Sequence, residues 1–537
     1  MVHFQHHAVR QLIAAAELGD ERFADDLLFE PGEELFVDLP LDLLPGQPAA
    51  GLEAEDILRL AAGQGFLPDA DRGPDADIAL PHGKFFFYGQ RLLRPAVYHP
   101  FPFNFHCGFP HFVFAYSSTI FQDYEEVYRM KERAYPVYQV NKHAEGLLVG
   151  GHPWVYENDI TAAPETLPEN GTLADVVSPK GAYLGTGFVS HHSKIRVRLI
   201  SRNANDTFDA SFWRRRVEYA WAYRKTVLEP ADLSACRVIF GEADQFPGLT
   251  VDRFHNILVT QTLSAGMEKL KPVLFPILAE VLRADGQTID GIYERNDEAL
   301  RAKEGLEQNK GWFELSGETH PDSTQTEIRE NGVYYHVDFE NGQKTGFFLD
   351  QKYNRRAVAR IAAGHTVLDC FTHTGSFALN AAMGGAARVT AADISAEAIA
   401  MAQRNAQRNG LTNMDFLCED TFELLPRLEK EGHPYDFIIL DPPAFTKARR
   451  TVENAMRGYK EINYRAMKLL PRGGYLATAS CSHFATEELF IKMLRAAAKD
   501  AHRQLRQIEV KQQAPDHPIL WGVPETNYLK FFLFQVI

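Results

Sequence analysis

The segment HTVLDCFTHTGSFALNAAMGGAARVTAADISAEAIAMAQRNAQRNG, residues 365–410, decides the fold. It predicts a buried strand, a tight loop and a helix beginning near Gly375, then a second strand ending at Asp393 and a long amphipathic helix closed by Gly410. A third such unit, MDFLCEDTFELLPRL, follows, with its strand ending near Asp420. Alternating strands and helices predict an α/β fold with a parallel, doubly wound sheet.

Acidic residues at the predicted strand ends indicate the cofactor. A dinucleotide site expects G-x-G-x-x-G, but the loop after Asp369 holds one glycine, Gly375. S-adenosylmethionine has a positive sulfonium and no phosphate, so it favours nearby carboxylates, and Asp369 meets that demand. Asp393 suits the ribose hydroxyls, and Asp420 an adenine amino group. Each acid taken alone is equally explained as a helix cap, but three in register with Asp441 favour a cofactor site.

Two later segments indicate the reaction: YDFIILDPPAFTK (Tyr435–Lys447) and GGYLATASCSHF (Gly473–Phe484). Prolines cannot continue a central strand, so Asp441 is released at the sheet edge where α/β folds bind ligands. The other segment ends at a thiol, Cys481. Together the two segments suggest a methyltransferase that acts on a base and uses Cys481 as its nucleophile.

Residues from about 138 onward resemble the bacterial large-subunit rRNA cytosine-5 methyltransferase family. The matching motifs are GGHPWVYENDI (Gly150–Ile160), CRVIFGEADQFPGLTVDRF (Cys236–Phe254), GQKTGFFLDQKYNRR (Gly342–Arg356), VLDCFTHTGSFA (Val367–Ala378), DPPAF (Asp441–Phe445), RGYKEIN (Arg457–Asn463), SCS (Ser480–Ser482), DHP (Asp516–Pro518) and YLK (Tyr528–Lys530). Their order and spacing are more specific than any one of them. The resemblance implies methylation of cytosine C5, which is a poor nucleophile until a thiolate adds to C6. Cys481 is then the candidate for that thiolate, and Asp441 is the candidate acid/base at N3.

The resemblance implies four domains. They are an acidic N-terminal domain of unknown function that lies outside the resemblance (1–134), a β-rich PUA-like RNA-binding domain with a linker helix (135–227), an α+β EEHEE-like middle domain (228–340) and a Rossmann-like class I methyltransferase domain (341–537). The expected cofactor is S-adenosyl-L-methionine. Its expected binding residues are Asp369, Phe371, Thr374, Gly375, Asp393, Ile394, Asp420 and Asp441.

Several alternatives remain open. Many RNA cytosine-5 methyltransferases of other families carry a second cysteine after the two prolines, where this chain has Ala444. The base that removes the C5 proton is therefore unassigned. Its candidates are His483, Asp516 and His517. Guanine N7 methylation would need no thiol, and adenine amino-group enzymes prefer an aromatic directly after the prolines, whereas Phe445 lies one place later. A non-catalytic RNA-binding or ribosome-assembly factor would have lost the cofactor loop.

Charge is unevenly distributed along the chain. Of the net charge of −15, most belongs to Met1–Ala134, which has 10 basic and 21 acidic residues. Phosphate binding depends on local charge, so two basic clusters after this segment are expected to face RNA. Their candidate RNA-binding residues are Lys194, Arg196, Arg198, Arg214, Arg215, Arg216, Lys447, Arg457 and Lys460.

Composition indicates an intracellular enzyme. The five cysteines have no paired spacing, which argues against disulfides and a zinc site. The start of the chain does not resemble a signal peptide, and no apolar run reaches the ~18 residues of a membrane span. We expect a cytoplasmic protein whose partner is large-subunit ribosomal RNA. No metal or membrane is expected, and a homodimer is compatible with the sequence.

Overall fold

The computed structural model describes residues 133–432, 435–446 and 448–537, all within one compact unit. The predicted N-terminal domain, 1–134, lies outside these residues except for its last two. In the described part of the chain, no helix is both long and apolar enough to cross a membrane.

The first domain is a six-stranded sheet with one helix. Its elements are β1 (Val137–Val140), α1 (Lys142–Val149), β2 (Trp154–Tyr156), β3 (Ile160–Ala162), β4 (Leu173–Val177), β5 (Tyr183–Val189) and β6 (Ile195–Ser201). The strand order is β2-β6-β5-β4-β1-β3. Asn141 begins α1 by accepting a hydrogen bond from the Ala144 amide, and Ala144 and Leu148 carry the helix into the core.

A long helix, α2 (Ala210–Val227), follows this sheet. Asp209 caps it by accepting from the Phe212 amide at 2.9 Å. Its aromatic face joins the middle domain's core, where Trp213 and Trp221 are almost fully buried. The buried Arg224 forms an ion pair with Asp244, so α2 is tied to the middle domain by charge as well as by packing.

The middle domain contains a five-stranded sheet, one long helix and a separate hairpin. Its elements are β7 (Ala235–Phe240), β8 (Leu249–Phe254), β9 (Ile257–Thr262), α3 (Ala265–Ala284), β10 (Gly291–Asn296), β11 (Asn309–Phe313), β12 (Gln325–Glu330) and β13 (Val333–Asp338). The sheet order is β11-β10-β9-β8-β7, and β12 pairs with β13. The hairpin reaches the catalytic domain, because the Tyr334 and His336 amides donate to Asn409 and Asn405.

The catalytic domain is a seven-stranded sheet. Its elements are α4 (Lys352–Ile361), β14 (Thr366–Asp369), α5 (Ser376–Met383), β15 (Arg388–Asp393), α6 (Ala396–Arg408), β16 (Met414–Cys418), α7 (Thr421–Glu431), β17 (Phe437–Leu440), α8 (Val452–Leu469), β18 (Tyr475–Ser480), α9 (Glu487–Asp500), β19 (Leu505–Lys511) and β20 (Lys530–Val536). The order is β16-β15-β14-β17-β18-β20-β19, with β14 to β18 parallel and β20 antiparallel to both neighbours. The predicted α/β fold is confirmed.

Burial explains why the central strands are apolar throughout. Every residue of β17, FIIL, is buried, because helices cover both faces of the sheet. The charged side chains of these strands therefore lie at their ends, and the polar residues within them are the buried threonines Thr390 and Thr478. The strand order places the carboxyl ends of β15, β14, β17 and β18 side by side at one edge.

Candidate active site

Four predicted site residues lie at that edge. Asp393 and Asp369 are the last residues of β15 and β14, while Asp441 and Cys481 directly follow β17 and β18. These strands are neighbours, so the four residues form a row with Asp441 between Asp369 and Cys481. The structure thus brings the predicted cofactor residues and the predicted nucleophile to one side of the sheet.

Asp369 is fully buried at the start of the glycine-containing loop. Its Oδ2 accepts hydrogen bonds from Thr372 Oγ1 at 2.7 Å and from the Ala378 amide at 3.0 Å. Its Oδ1 has no hydrogen-bond partner among the described residues. Burial raises the pKa of Asp369 to about 7, and the charge of Asp393 adds to the effect. An unpaired buried carboxylate oxygen is what a cationic ligand would satisfy.

The loop after β14 joins Asp369 to Asp393. The His373 amide donates to Asp393 Oδ2 at 2.8 Å, and burial lowers the pKa of the imidazole to about 4. Gly375 has φ +88°, and a Cβ there would lie 2.2 Å from a Leu379 methyl. Only glycine therefore fits this turn. Phe371 and Thr374 are half-buried on the same loop.

The next two strand ends complete the predicted cofactor residues. The Ser395 amide donates to Asp393 Oδ1 at 3.0 Å, and the neighbouring Ile394 side chain is 70% exposed. Asp420 lies two residues beyond β16 and accepts from the Phe422 amide at 2.9 Å, so it caps α7. A contact between Asp420 and adenine stays a prediction. Together, these strand ends fit S-adenosylmethionine. Asp369 suits its cationic part, Asp393 its ribose and the exposed Ile394 its apolar part.

Asp441 and Cys481, the two predicted catalytic residues, occupy the other half of the row. Gln351 Nε2 donates to Asp441 Oδ1 at 2.8 Å. Burial raises the pKa of Asp441 to about 7, with further contributions from the charges of Asp350 and Asp369. Burial, Asp441 and Asp350 raise the pKa of the Cys481 thiol to about 12. Cys481 is a free cysteine that keeps part of its surface accessible.

Several residues around Asp441 and Cys481 had no role in the sequence analysis, and we call this group of side chains the recess. Tyr528 donates from its hydroxyl to Asp350 Oδ2 at 2.7 Å. Lys530 Nζ donates to the carbonyls of Ser482 at 2.7 Å and Tyr528 at 2.8 Å. Burial lowers the pKa of Lys530 to about 8, although the neighbouring Cys481 opposes this shift. Asp350, Gln351, Tyr528 and Lys530 lie within the quoted motifs, which were the available signal.

Two of the three candidate release bases are held in place by the protein. Asp516 is fully buried and accepts from the Arg237 amide at 3.0 Å, while its other oxygen lies 2.9 Å from His517 Nδ1. Burial raises the pKa of Asp516, but nearby charges and hydrogen bonds lower it by more. The charge of His517 is the largest of these lowering effects. Both residues therefore connect the catalytic and middle domains. His483 is exposed and contacts the Phe484 ring.

The predicted RNA-binding residues have different surroundings. In the first cluster, Arg196 pairs with Glu157, Arg198 with Glu304 and Arg214 with Glu280. Arg216 donates to the Ile200 carbonyl at 2.7 Å, and burial lowers its pKa to about 10. Lys194 and Arg215 are exposed. RNA contacts by this cluster stay a prediction.

The second cluster, beside the Asp441 strand end, is more open. Lys447 lies outside the described residues, and Lys460 pairs with Asp500 at 2.6 Å. Arg457 is exposed, and so are Arg449 and Arg450, which belong to the same basic cluster. None of these three arginines forms an ion pair within the part of the chain that the structure describes. They are free to bind an anionic ligand near the row of strand ends.

Comparison with known proteins agrees with this geometry. Residues 307–535 match the family model for S-adenosylmethionine-dependent methyltransferases, and residues 139–202 match that for a PUA-like domain. Ribosomal RNA large subunit methyltransferase I of Klebsiella pneumoniae (strain 342) is 38% identical over 410 residues, covering 76% of this chain and 100% of the relative. That of Cronobacter sakazakii is 39% identical over 398 residues, covering 74% and 98%.

A solved structure from Streptococcus mutans, assigned to the S-adenosylmethionine-dependent methyltransferases, shares the fold. It has a TM-score of 0.62 at 23% identity and covers 74% of this chain and 99% of that one. The matched domain and the carboxylates at its strand ends define an S-adenosylmethionine-dependent methyltransferase. Within that class, the chain belongs to the ribosomal RNA large subunit methyltransferase I family.

Replacement of Asp393 tests the cofactor site. Asp393→Ala is expected to weaken S-adenosylmethionine binding by about 1.5–3 kcal/mol, because a charge-assisted hydrogen bond to the ribose is lost. Titration calorimetry measures the affinity, and a thermal melt confirms that the variant is folded. The control is Asp415→Ala, which removes an exposed carboxylate paired with Arg388. Equal affinities for Asp393→Ala and the parent would contradict the assignment.

Proposed function

We propose that this enzyme forms 5-methylcytosine in large-subunit ribosomal RNA through a covalent adduct between Cys481 and cytosine C6. The observation that carries the proposal is the row of strand ends. It places the Cys481 thiol and the acid Asp441 beside the two carboxylates that are expected to bind the cofactor. The target class comes from the family, whose curated members carry that substrate in their name. Such a substrate also supports the expected cytoplasmic location.

The electrostatics of the recess support a coupled addition step. A thiol with a pKa of about 12 is almost wholly protonated near neutral pH, so it needs help to become a thiolate. Lys530 is a neighbouring cation that opposes this shift. Asp441, with a pKa of about 7, supplies both protonation states near neutral pH. The thiol proton is lost to water as Sγ bonds to C6, and Asp441 in its acid form donates its own proton to N3, which neutralises the charge developing on the ring.

S-adenosylmethionine supplies an electrophilic methyl group for the activated C5. The residues suited to hold it are Asp369, through its unpaired oxygen, and Asp393, at the end of the adjacent strand. A buried carboxylate that is held by the protein in this way orients its ligand. The chain's own residues thus provide binding, orientation and proton transfer.

The alternative reactions have less support. Guanine N7 is already nucleophilic, and its methylation gives no role to a thiol at the β18 end. An amino-group enzyme needs an aromatic free to stack on the flipped base. Here Phe445 packs against Tyr459, with ring centroids 4.6 Å apart, and against Phe422. A non-catalytic scaffold would not preserve Asp369, Gly375 and Asp393 in binding geometry.

Mapping the modified base tests the proposed function. Large-subunit ribosomal RNA from a deletion strain is incubated with purified enzyme and S-adenosylmethionine, then sequenced after bisulfite treatment. The expected result is one cytosine that becomes resistant to conversion. Incorporation of label as 7-methylguanine or N6-methyladenine, identified by nucleoside mass spectrometry, would contradict the proposal.

The open arginines beside Asp441 are expected to bind RNA phosphates. Replacing Arg449, Arg450 and Arg457 with Ala should weaken RNA binding regardless of sequence and flatten its log–log salt dependence by roughly one per lost contact. Fluorescence anisotropy at several salt concentrations measures both effects. This set is preferable to Arg214–Arg216, because Arg216 also holds the Ile200 carbonyl.

A matched control uses arginines that have acidic partners. Arg427→Ala combined with Arg465→Ala removes two positive charges. Both arginines are already paired with glutamates, and Arg465 lies on α8, the helix that also carries Arg457. We expect the parental salt slope for this control. A parental slope for the Arg449, Arg450 and Arg457 variant as well would show that this surface does not contact RNA.

A further inference from the structure

Asp350 is a carboxylate of the recess that the protein holds in a fixed position. It lies in a 3-10 turn, Leu349–Gln351, directly before α4. Its Oδ2 accepts the Tyr528 hydroxyl at 2.7 Å, and its main-chain carbonyl accepts the Ala514 amide at 2.7 Å. Its Oδ1 is enclosed by the protein and has no hydrogen-bond partner among the described residues. The side chain is therefore held in place with one acceptor oxygen unused.

Asp350 shares its surroundings with both catalytic candidates. Gln351, the next residue, donates to Asp441 at 2.8 Å. Among neighbouring charges, that of Asp350 has the largest effect on the pKa of Asp441, and it is second only to Asp441 for the pKa of Cys481. Contacts join the same groups, because Tyr528 donates to Asp350 and its carbonyl accepts from Lys530 Nζ, which also donates to the carbonyl of Ser482, the residue after Cys481. The two carboxylates and the thiol therefore lie in one recess.

The reaction requires a proton acceptor on the side of the thiol. Asp369 on β14 and Cys481 after β18 lie on opposite sides of Asp441. A cytosine held at N3 by Asp441 would thus have the cofactor site on one side and the thiol on the other. C5 receives its methyl group on the cofactor side, which displaces its hydrogen to the thiol side. Asp441, engaged at N3, is not placed to remove it.

The other polar groups considered for this step already have partners. Lys530 Nζ donates to two carbonyls, and Tyr528 donates its hydroxyl proton to Asp350. Asp516 and His517 contact each other and the middle domain, through the Arg237 amide and the Phe240 ring. Asp350 is the described carboxylate of this recess that has an unpaired oxygen and that is assigned neither to N3, like Asp441, nor to the cofactor, like Asp369.

We propose that Asp350 accepts the C5 proton in the release step and that Tyr528 positions it. The C5–H bond breaks, and its electron pair forms the C5–C6 double bond as the C6–S bond breaks and returns its own electron pair to Cys481 Sγ. The proton on N3 returns to the Asp441 carboxylate, while the proton from C5 resides on Asp350 until it passes to water. The inference rests on the proposed cytosine C5 function.

Asp350→Asn isolates the release step, because the amide keeps the shape of the carboxylate but cannot accept the proton. Mixed with RNA containing ordinary cytosine and tritiated S-adenosylmethionine, the variant should incorporate up to one methyl per enzyme. It should then stop in a complex that survives denaturing electrophoresis, with steady-state turnover reduced at least about 100-fold. The wild-type enzyme should turn over on this RNA without accumulating the complex.

Further variants assign the effect. Adding Cys481→Ala to Asp350→Asn should abolish the complex, and Glu461→Gln, an exposed carboxylate on α8, should behave as wild type. Tyr528→Phe keeps the carboxylate and should also accumulate the complex, with a smaller loss of turnover. This second variant tests the inference if Asp350→Asn does not bind S-adenosylhomocysteine in a folded state.

The possible failures are distinct. Steady-state turnover by Asp350→Asn at the wild-type rate, without any trapped complex, would overturn the role of Asp350. A folded Asp350→Asn that forms no adduct even with 5-fluorocytosine RNA would move Asp350 to the addition step and equally overturn it. Absence of an adduct between the wild-type enzyme and 5-fluorocytosine RNA would instead reject the proposed function itself.

Discussion

Cys481→Ala is expected to lose turnover by a factor on the order of 10⁶, the scale seen when a covalent nucleophile is removed from an enzyme. Without the thiol, C6 receives no nucleophile and C5 stays unreactive. Binding of S-adenosylmethionine should be unchanged, because Asp369 and Asp393 lie at β14 and β15 while Cys481 follows β18. Methyl transfer to RNA and calorimetry measure the two properties separately.

Cys418→Ala is the matched control, since Cys418 is an exposed free cysteine at the end of another strand of the same sheet. It should retain activity. Robust methyl transfer by Cys481→Ala would contradict the nucleophile assignment and would favour guanine N7 or amino-group methylation, which need no thiol.

Asp441→Asn is expected to slow adduct formation by about 10²- to 10⁴-fold, the range typical of a lost general acid or base. The carboxyl has a pKa of about 7, so it is a proton donor below that pH and loses this ability as the pH rises through it. In the wild-type enzyme, the contribution of Asp441 should therefore decline above pH 7. An asparagine does not titrate, so this dependence should disappear in the variant.

Rapid-quench measurement of adduct formation at pH values on both sides of 7 tests this prediction. Asp415→Asn, which changes a partly exposed carboxylate on β16, should keep the wild-type profile. An Asp441→Asn enzyme that forms the adduct at the wild-type rate would show that this acid acts in cofactor binding or structure and not in the addition step.

The row of strand ends was predictable because parallel strands end at a common edge. The alternation of strands and helices after residue 365 predicted that Asp369, Asp393 and Asp441 would lie near Cys481, and the sheet order confirms that arrangement. The predicted end of the third strand near Asp420 was two residues late. The strand ends at Cys418, because Asp420 caps the following helix.

Asp350 and Tyr528 illustrate what sequence patterns cannot provide. Asp350 lies in a turn before the first strand of the catalytic sheet, and Tyr528 precedes the last strand, which runs antiparallel. Their hydrogen bond joins positions 178 residues apart. No local periodicity encodes such a contact, so a motif can mark the residues without giving their role.

The basic clusters show the same limit for charge. The arginines of 194–225 form an evident run in the sequence, but their partners lie elsewhere in the chain. Arg214 pairs with Glu280 and Arg198 with Glu304, 66 and 106 residues away. Local charge therefore predicts where cations concentrate, while the fold determines which of them are available to a phosphate.

Trapping with 5-fluorocytosine tests the central claim of a covalent adduct at Cys481. Fluorine cannot leave C5 as a cation, so an enzyme that adds its thiol to C6 and methylates C5 cannot release this RNA. With S-adenosylmethionine, the wild-type protein should form a complex that survives denaturing electrophoresis and yields a peptide containing Cys481 bound to the base, and Cys481→Ala should form none. Complete methylation without a trapped complex, or an equal complex with Cys481→Ala, would contradict the account.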